Sequence, residues 1–451
     1  MEDNWRLGLH LMPPEGWLND PNGLCWYEGE YHVFFQYSPD DVNGGLKHWG
    51  HYKSKELLNW EFTGIPLRAE EPYEKDGAYS GSAFVEDGVM HLFYTGNVKE
   101  EGDYDYITAG RGANEIHAIY TPEGEVISKE CVLTNADYPE YYTCHVRDPK
   151  IWKEKDTYYM VLGGRDRDDI GKVLVYASSN LKDWTFLQDI CSKEPFGYMW
   201  ECPDYFEVGG VKLLSISPQG IETAGHDYEN VYQSGFYKLS GSIIGRYALQ
   251  EFTEWDHGFD FYAPQTFSDD KGRRILVGWM GIPDADYTNP TTRRGWQHGL
   301  TIPRVLTEKG GVIYQKPVEE LKELRTGSVV IENQKTIFFD IAELLVQNQE
   351  DQGFTVIIAD GMNICYWPKE HCVTLEFTDA ALGSGRRIRH CNIESCKDMQ
   401  IFLDRSAVEI YINHGEKVMT SRYYPTEDKR SVKLQGSQCV ATLWNLKPMS
   451  M

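Results

Sequence analysis

Three acidic residues occupy sequence surroundings in which a carboxyl group can do chemistry. Asp20 is followed by Pro-Asn-Gly, a turn-forming run that leaves its carboxylate at a tight turn near the start of the chain. Asp148 follows Arg147, and the adjacent guanidinium would hold this carboxyl ionised. Glu201 lies among apolar neighbours, which would favour the protonated form that a general acid needs. Taken singly, the same residues also fit a turn-forming aspartate, an ion pair and a packed glutamate.

Glycoside hydrolysis uses such a set of acidic groups. One carboxylate acts as the nucleophile, one carboxylic acid gives a proton to the departing oxygen, and further groups hold the sugar as positive charge develops on it. The three residues are far apart in the sequence, at positions 20, 148 and 201. The fold must therefore bring them together.

The first two thirds of the chain repeat one kind of strand, rich in β-branched and aromatic residues and ended by a polar residue or a glycine. The five copies span residues 31–37, 90–96, 158–164, 211–217 and 273–279. Their spacing accommodates about four short strands each, which is the content of one propeller blade. The repeat predicts a five-bladed β-propeller over residues 1–310, with a series of β-sandwiches as the alternative. The three acidic residues fall near the starts of the first, third and fourth units, which in a propeller can meet at the central funnel.

A second all-β region follows the repeats. Residues 317–324 predict a short helix with proline at its start, within a linker over residues 311–326. Beyond it, alternating strands separated by turn residues predict a β-sandwich over residues 327–451. The predicted strands cover residues 336–341, 354–359, 373–377, 399–403, 408–412 and 441–445. The fold class predicted from the sequence is all-β, a five-bladed β-propeller followed by a C-terminal β-sandwich.

Composition excludes several functional classes. With 44 Lys and Arg against 69 Asp and Glu, the formal charge is −25, which would repel nucleic acid and anionic membranes. No apolar run approaches a membrane span, and the segment Met1–Gly8 lacks the apolar region of a signal peptide, so the sequence predicts a soluble, cytoplasmic protein. The ten scattered cysteines predict reduced, packed thiols rather than a metal site, and no cofactor is expected. Aromatic residues at 13 % suit a carbohydrate ligand or a β-protein core.

Four motifs in order resemble glycoside hydrolase family 32, the invertases and fructan hydrolases. They are Gly16-Trp-Leu-Asn-Asp-Pro-Asn-Gly23, Tyr79-Ser-Gly-Ser82, Arg147-Asp-Pro149 and Glu201-Cys-Pro203. The resemblance continues through residues 258–265, 278–281, 300–304 and 403–410, and so covers almost the whole chain. The five-bladed propeller and β-sandwich of that family agree with the architecture that the repeats predict.

The resemblance implies a retaining mechanism. In it Asp20 is the nucleophile, Glu201 is first the acid and then the base, and Asp148 stabilises the transition state by binding the hydroxyls of the fructose ring. The residues that the resemblance implies for lining the fructosyl pocket or its mouth are Asn19, Gln36, Trp49, Tyr79, Ser80, Arg147, Tyr262 and Trp279. Each of these also fits a packing or turn role.

The sequence departs from the family pattern at two positions of the pocket. Gly44 stands where the family usually has a tryptophan, so an aromatic wall is absent or is supplied from elsewhere. Tyr79 replaces the usual phenylalanine and adds a hydroxyl at the rim. Both changes affect the choice of substrate rather than the reaction. If the substrate carries a phosphate, Lys47 and Arg111 are the basic residues whose positions suggest that they meet it.

The main interpretation is a β-fructofuranosidase that releases fructose from sucrose, sucrose 6-phosphate or short β-fructosides. One alternative is fructosyl transfer, in which a second sugar intercepts the covalent intermediate in place of water. The other is a propeller that binds sugar without catalysis. The expected partner is a small sugar, with no nucleic acid and no membrane, and the sequence makes no prediction of the oligomeric state.

Overall fold

The computed structural model describes residues 3–436 and 439–451. Residues 1–2 and 437–438, which the predicted domains include, lie outside the described residues. The described chain is built almost entirely of β-strands, arranged as five sheets of a propeller and two sheets of a sandwich. The predicted fold class is confirmed.

Each propeller sheet is an antiparallel meander of four strands. The first contains β1 (Gly16–Tyr27), β2 (Glu30–Ser38), β3 (His48–Ser54) and β4 (Glu61–Leu67). The second contains β5 (Ala78–Glu86), β6 (Val89–Lys99), β7 (Arg111–Tyr120) and β8 (Val126–Leu133). The third contains β9 (Tyr142–Glu154), β10 (Thr157–Asp166), β11 (Gly171–Ser178) and β12 (Thr185–Ile190). The fourth contains β13 (Met199–Val208), β14 (Val211–Gln219), β15 (Gly235–Gly241) and β16 (Tyr247–Glu254).

The fifth sheet begins with β17 (Tyr262–Ser268) and β18 (Arg274–Trp279). The chain then forms the two-residue strand β19 (Trp296–Gln297), which pairs in parallel with β1 and ties the fifth unit to the first. It returns as β20 (Arg304–Lys309) and β21 (Val312–Pro317) to complete the fifth sheet. This sheet thus extends beyond residue 310, the predicted end of the propeller domain. The predicted division into domains stays a prediction.

The first strands of the five sheets form the centre of the propeller. β1 contacts β5 and β17, and the intervening contacts of β5 with β9, β9 with β13 and β13 with β17 close the ring. The five repeated segments found in the sequence are the second strands, β2, β6, β10, β14 and β18. They are buried between neighbouring sheets, which explains their continuous apolar character.

The sandwich has two six-stranded sheets. Its strands are β22 (Arg325–Ile331), β23 (Thr336–Phe338), β24 (Ala342–Asn348), β25 (Phe354–Ile358), β26 (Met362–Trp367), β27 (Cys372–Phe377), β28 (Ile388–Asn392), β29 (Asp398–Leu403), β30 (Ala407–Ile412), β31 (Lys417–Arg422), β32 (Ser431–Gln435) and β33 (Cys439–Leu446). One sheet has the order β22-β33-β24-β29-β30-β31 and the other β23-β32-β25-β26-β27-β28. The six predicted sandwich strands correspond to β23, β25, β27, β29, β30 and β33.

Helices are few and short in the described chain. One α-helix, α1, spans Ala380–Gly383, and 3-10 turns cover Pro72–Glu74, Asn135–Asp137, Pro290–Arg294, Glu319–Leu324, Asn413–Gly415 and Glu427–Lys429. The predicted helix at residues 317–324 is the fourth of these turns. No helix in the described ranges is both long enough and apolar enough to cross a membrane.

A shared apolar core joins the two halves. It runs from the first and fifth propeller sheets into both sheets of the sandwich, so burial of the sandwich faces also supports the propeller. All ten cysteines lie in described ranges and are free, six of them buried.

Candidate active site

A β-bulge interrupts each of the five central strands at the same end of the propeller. In every propeller sheet, an advance of three residues along the first strand is paired with an advance of only two residues along the second strand. The bulged segments are residues 18–21, 78–81, 147–150, 201–204 and 262–265. A bulge bends a strand and redirects its side chains. Ten of the eleven residues predicted for the site lie in or directly beside these segments or on strands that pair with them.

Three of the bulges contain a non-glycine residue with left-handed backbone. Asp148 has φ 66°, and Cys202 and Ala263 both have φ 48°. Each is followed by proline, which cannot donate to the sheet, so the strand pairing is already broken at that point. Such conformations cost of order 1–3 kcal/mol and occur where the surrounding structure holds them. Here the strain accompanies the bend that turns the acidic side chains inward.

The bulges surround a pocket of about 310 Å³ at the centre of the ring. Its walls are Trp17, Asn19, Asp20, Gln36, Lys47, Tyr79, Arg111, Arg147, Asp148, Glu201, Tyr262, Trp279, Pro283 and Asp284. The three predicted acidic residues thus meet in one pocket. They arrive there on three different strands, β1, β9 and β13.

Both oxygens of Asp20 are held by neutral donors. Asn19 Nδ2 donates to Oδ1 at 3.1 Å and Ser80 Oγ donates to Oδ2 at 2.5 Å. Gln36 connects these two donors, because its Oε1 accepts from Asn19 at 2.8 Å and its Nε2 donates to Ser80 at 2.5 Å. Trp17 fixes Asn19 through an indole hydrogen bond of 2.7 Å. Asp20 is therefore oriented on both sides without contact to a cation.

Glu201 is held by an arginine, a tyrosine and a glutamine. Arg147 donates to Oε1 through two nitrogens, at 2.6 and 3.1 Å. Tyr262 Oη and Gln219 Nε2 donate to Oε2, at 2.6 and 2.7 Å. The expectation that apolar groups surround Glu201 is wrong, since all its contacts here are polar donors. Trp200 and Cys202 adjoin Glu201 in the sequence, but successive side chains of a strand point to opposite faces, so these two point away from the Glu201 side chain.

Asp148 is buried between the other two acidic groups. Its Oδ2 accepts the backbone N–H of Cys202 at 2.9 Å, and its own N–H donates to Thr95 Oγ1 at 3.0 Å. Burial raises the pKa of Asp148 to about 7; repulsion by Glu201 acts in the same direction, and Arg147 opposes both. The expectation that Arg147 keeps Asp148 ionised is thus corrected. The guanidinium lies 2.6 Å from Glu201 and 4.0 Å from Asp148, so it pairs with the glutamate first.

The pocket resists full ionisation of its acidic groups. Burial raises the pKa of Asp20 as well, and the charge of Glu201 adds to that shift. The Cys202 thiol lies 3.7 Å from Asp20 Oδ2 and 3.5 Å from Asp148 Oδ2, and burial raises its pKa well above the usual value. It is therefore a neutral donor between two carboxyls. Burial and mutual repulsion thus both favour the neutral forms of Asp20 and Asp148, and acidic groups this close titrate as a coupled set.

Trp49 and Ser80 do not line the pocket. Trp49 is fully buried behind it, packs on Phe34 and Tyr94, and donates its indole N–H to the Tyr79 carbonyl at 2.9 Å. The expectation that Trp49 lines the pocket is corrected: it supports the strand that carries Tyr79. Ser80 lies beneath the surface of the pocket and acts on Asp20 through its hydroxyl.

Sequence reasoning missed four residues of the site. Trp17, Pro283 and Asp284 form part of the wall, and Gln219 binds Glu201. Gln219 ends β14 beside β13, so the strand pairing could have indicated it once the meander was known. The position of Asp284 in a loop carried no such signal. Asp204, the other acidic residue of the bulged segment 201–204, is fully buried and paired with Lys150 at 3.3 Å, outside the pocket.

The glycine at position 44 is linked to a cation in the pocket. Gly44 has φ 92°, and a Cβ there would lie 2.8 Å from Lys47 Nζ and 3.2 Å from the Trp17 ring. The Lys47 ammonium stacks 4.8 Å from the centre of the Trp17 ring. A large side chain at position 44 would compete with Lys47 for this space. The aromatic wall at this point is Trp17, with Lys47 in front of it.

Comparison with known proteins identifies relatives along the whole chain. The family model "Glycosyl hydrolases family 32 N-terminal domain" matches residues 10–317, and "Glycosyl hydrolases family 32 C terminal" matches residues 315–447. A sucrose-6-phosphate hydrolase of Bacillus subtilis is 38 % identical, over 98 % of this chain and 95 % of that protein. The structure of a sucrose-6-phosphate hydrolase from Lactobacillus gasseri is similar with a TM-score of 0.90 and 27 % identity, over 99 % of this chain and 94 % of that one. A Bombyx mori β-fructofuranosidase variant, solved in complex with sucrose, gives a TM-score of 0.87 at 31 % identity, over 100 % of this chain and 96 % of that one.

Proposed function

The chain belongs to glycoside hydrolase family 32, and from this premise we propose that its funnel hydrolyses the fructosyl bond of sucrose 6-phosphate, sucrose or a short β-fructoside with retention of configuration. The observation that carries the proposal is the contrast between two carboxyls in one pocket. Asp20 is oriented on both oxygens by neutral hydrogen-bond donors, whereas Glu201 contacts a guanidinium, a phenol and an amide. A nucleophile needs the first environment, and a group that alternates between acid and base is served by the second.

The first step forms a bond and breaks a bond at the anomeric carbon of fructose. An Asp20 oxygen attacks this carbon while the bond to the glycosidic oxygen breaks, and Glu201 transfers its proton to that oxygen. The leaving sugar departs as a neutral alcohol, and fructose is left as an ester of Asp20. This step requires Glu201 to be protonated and Asp20 to be a carboxylate when the substrate binds.

The second step returns the protein to its starting state. Glu201, now a carboxylate, removes a proton from water while the water oxygen attacks the anomeric carbon and the bond to Asp20 breaks. Asp148 lies beside both groups, and its carboxylate binds the ring hydroxyls more strongly as positive charge develops on the sugar. Tyr262 and Gln219 keep Glu201 in place during both proton transfers.

The test of these roles uses Glu201→Gln with two substrates. The variant should hydrolyse sucrose very slowly, because the leaving sugar departs poorly without a proton. A fructoside with an activated leaving group should still form the ester on Asp20. Azide should then accelerate turnover and give a fructosyl azide of retained configuration, since azide attacks without a general base.

The matched control is Asp204→Asn, which alters a buried carboxyl three residues further along β13 that is paired with Lys150. This variant should hydrolyse sucrose and the activated fructoside at the same relative rates as the unaltered protein, and azide should not accelerate its turnover. Equal loss of both substrates in Glu201→Gln, with no rescue by azide, would transfer the acid role to another group. Analysis of the products of the unaltered protein at high sucrose separates hydrolysis from fructosyl transfer.

A phosphorylated substrate is favoured by two cations in the pocket wall. Lys47 and Arg111 form no ion pair with a carboxylate in the described part of the chain, and Arg111 Nε is buried without a hydrogen-bond partner. Burial lowers the pKa of Lys47 to about 8, which the nearby Asp20 charge opposes, and burial also lowers the pKa of Arg111. A phosphate dianion would supply the missing partner to both. The curated relative with 38 % identity bears the name sucrose-6-phosphate hydrolase.

Phosphate recognition is tested by the ratio of kcat/KM for sucrose 6-phosphate to that for sucrose. Lys47→Met and Arg111→Met should each lower this ratio by roughly 10-fold or more, because a charge-assisted contact to phosphate is lost. Lys182→Met, which removes an exposed cation paired with Glu130, is the control and should leave the ratio unchanged. A ratio near one in the unaltered protein would rule out a phosphate site.

We also place the enzyme in the cytoplasm as part of this proposal. A sugar phosphate is a dianion that does not cross a lipid bilayer, so a hydrolase acting on it works where the sugar is phosphorylated. Fractionation of the source cells should recover the activity on sucrose 6-phosphate with the cytoplasmic contents. Recovery outside the cell would argue for sucrose or fructosides as the substrate.

A further inference from the structure

A fully buried glutamate lies behind the pocket. Glu115 is on β7, the third strand of the second sheet, and is not part of the pocket wall. In the described part of the chain it has no ion-pair partner. Its two oxygens contact hydroxyl groups only, Thr95 Oγ1 at 2.9 Å and Tyr138 Oη at 3.2 Å. A carboxyl buried in this way is expensive unless it is neutral.

A continuous hydrogen-bond path leads from this glutamate to Asp148. The Asp148 N–H donates to Thr95 Oγ1 at 3.0 Å. The single hydroxyl proton of Thr95 then donates to Glu115 Oε2. Because the Thr95 hydroxyl donates its proton to Glu115, the Thr95 oxygen is held with a lone pair towards the Asp148 N–H.

The far end of the path indicates that Glu115 carries a proton. Tyr138 Oη lies 2.9 Å from the Ala113 carbonyl, which is its shorter contact and an acceptor only. If the Tyr138 proton goes to that carbonyl, its oxygen is free to accept from Glu115 Oε1. With the Tyr138 proton on the carbonyl, a carboxylate Oε1 would face the Tyr138 oxygen with no proton between them, whereas a carboxylic acid supplies that proton. Burial raises the pKa of Glu115 well above its usual value, and the charge of Asp148 adds to that shift.

We propose that Glu115 is a positioning residue for Asp148: as a neutral acid it orients the Thr95 hydroxyl, which holds the Asp148 amide in the bulge and so directs the Asp148 carboxylate into the pocket. Asp148 is the residue whose φ of 66° must be maintained against strain. Without an acceptor its buried N–H would be unsatisfied, and the bulge would lose the contact that favours its bent form. A neutral Glu115 also avoids adding a further negative charge beside Asp148.

Four variants test the proposal. It rests on the proposed function only in that fructoside hydrolysis is the activity measured. Thr95→Val keeps the shape but removes the acceptor, and Glu115→Leu removes the group that orients Thr95. Both should lower kcat by roughly 10- to 100-fold with a smaller change in KM, the size expected for a displaced catalytic group. Thr95→Ser should restore kcat, and Glu115→Gln should stay within about threefold of the unaltered protein, because the amide reproduces both hydrogen bonds.

A second measurement separates positioning from general packing. In an Asp148→Asn background, Thr95→Val should cost almost nothing further in kcat, since it acts through the carboxylate that is already absent. Glu74→Leu is the control, because Glu74 is equally buried, in the 3-10 turn Pro72–Glu74 against the second blade, where it accepts a hydrogen bond from Tyr94 at 2.6 Å and pairs with Lys129. It should reduce thermal stability while leaving the kcat of the folded fraction unchanged.

Three results would overturn the proposal. They are full kcat in Thr95→Val, equal losses in Glu115→Gln and Glu115→Leu, and a Thr95→Val effect that is undiminished in the Asp148→Asn background. The proposed function fails separately, through absence of fructoside hydrolysis in the unaltered protein.

Discussion

Two buried clusters of charged residues in this molecule have opposite character. The first is the funnel pocket, with Asp20, Asp148 and Glu201. The second, here called the junction cluster, lies between propeller and sandwich and consists of His10, Asp256, Arg304, Asp404 and Glu409. Both are built from carboxyls and an arginine removed from water. They differ in how their carboxyls are paired with cations.

The junction cluster gives its carboxylates positive partners. Arg304, on β20, lies 2.7 Å from Glu409 of the sandwich and 3.1 Å from Asp256. His10 contacts Asp404 at 2.7 Å and Glu409 at 3.1 Å. Burial raises the pKa of Glu409, but Arg304 and His10 outweigh it and lower that pKa to about 2. Asp256 is the exception, since burial raises its pKa despite Arg304.

In the funnel, Arg147 is the one cation of the described residues that forms an ion pair with any of the three carboxyls. Arg147 pairs with Glu201, and burial raises the pKa values of Asp20 and Asp148. The junction thus pairs its carboxylates with cations where the propeller meets the sandwich, whereas burial in the funnel favours protonation of Asp20 and Asp148. Strained bulges support the funnel, while the junction uses ordinary strands and turns. The comparison indicates that stability is given up where the chemistry occurs.

The largest expected effect is loss of turnover without loss of the fold. Asp20→Ala should lower kcat on the order of 10^4-fold or more, because no other group can form the ester. Since Asp20 contacts only neutral donors, its removal leaves no charge unpaired, and the thermal midpoint should stay close to that of the unaltered protein. Parallel kinetics and calorimetry check both statements. Substantial activity in the folded variant would contradict the assignment of the nucleophile.

The converse change in the junction should destabilise the protein without altering the chemistry. Arg304→Met leaves Glu409 and Asp256 buried without their guanidinium partner, which costs about 3–5 kcal/mol. Denaturant titration should show this loss, and kcat per folded molecule should be unchanged. Lys182→Met, at an exposed ion pair, is the control and should cost less than about 1 kcal/mol. A drop in kcat with intact stability would abolish the distinction between the two clusters.

Strand periodicity allowed the fold to be predicted, because the second strand of each blade is buried on both faces. That burial forces the apolar runs that repeat along the sequence. The six sandwich strands were recognisable for a related reason, since alternation and turn residues mark them. The end of the fifth sheet was not, because β21 is a short, partly buried outer strand without the continuous apolar run that marks the second strand of a blade.

The acidic residues of the site were also predictable, but their contacts were not. Asp20, Asp148 and Glu201 stand in distinctive motifs. Sequence adjacency suggested that Arg147 pairs with Asp148, whereas the bulge turns the two side chains so that Arg147 reaches Glu201 instead. Trp49 illustrates the same point, because strand alternation buries a residue that the family resemblance implied for the pocket. Contacts between blades depend on bulge geometry, which local sequence does not encode.

A third prediction concerns the stability that the funnel gives up. Asp148 has a pKa of about 7 in the folded protein, above its usual 3.8, so the folded state binds a proton more tightly than the unfolded state. Stability should therefore fall as pH rises from about 4 to 7. Asp148→Asn removes this loss and should be more stable than the unaltered protein at pH 8 by about 1–2 kcal/mol, although its kcat is low. Urea titrations at pH 4 and pH 8 should show the difference only at the higher pH.

The smallest effect is the pH dependence of the junction. Burial favours the neutral form of His10, but its bonds to Asp404 and Glu409 prevail and raise the pKa of His10 above the usual 6.5. A raised histidine pKa stabilises the folded state fully below pH 6.5, and this contribution is lost as pH rises through the folded value. The variant His10→Gln lacks this contribution. The difference in unfolding free energy between the unaltered protein and His10→Gln should therefore shrink by about 1 kcal/mol from pH 6 to high pH.

The carboxyls that contact His10 do not titrate in this range. Burial raises the pKa of Asp404 and of Glu409, but the hydrogen bonds and charge of His10 outweigh burial and lower both pKa values, and Arg304 lowers that of Glu409 further. Asp148 titrates there in both proteins and cancels in the difference. A stability difference that is constant with pH would mean that His10 is neutral, and that the junction cluster, like the funnel, leaves one of its groups without its charge.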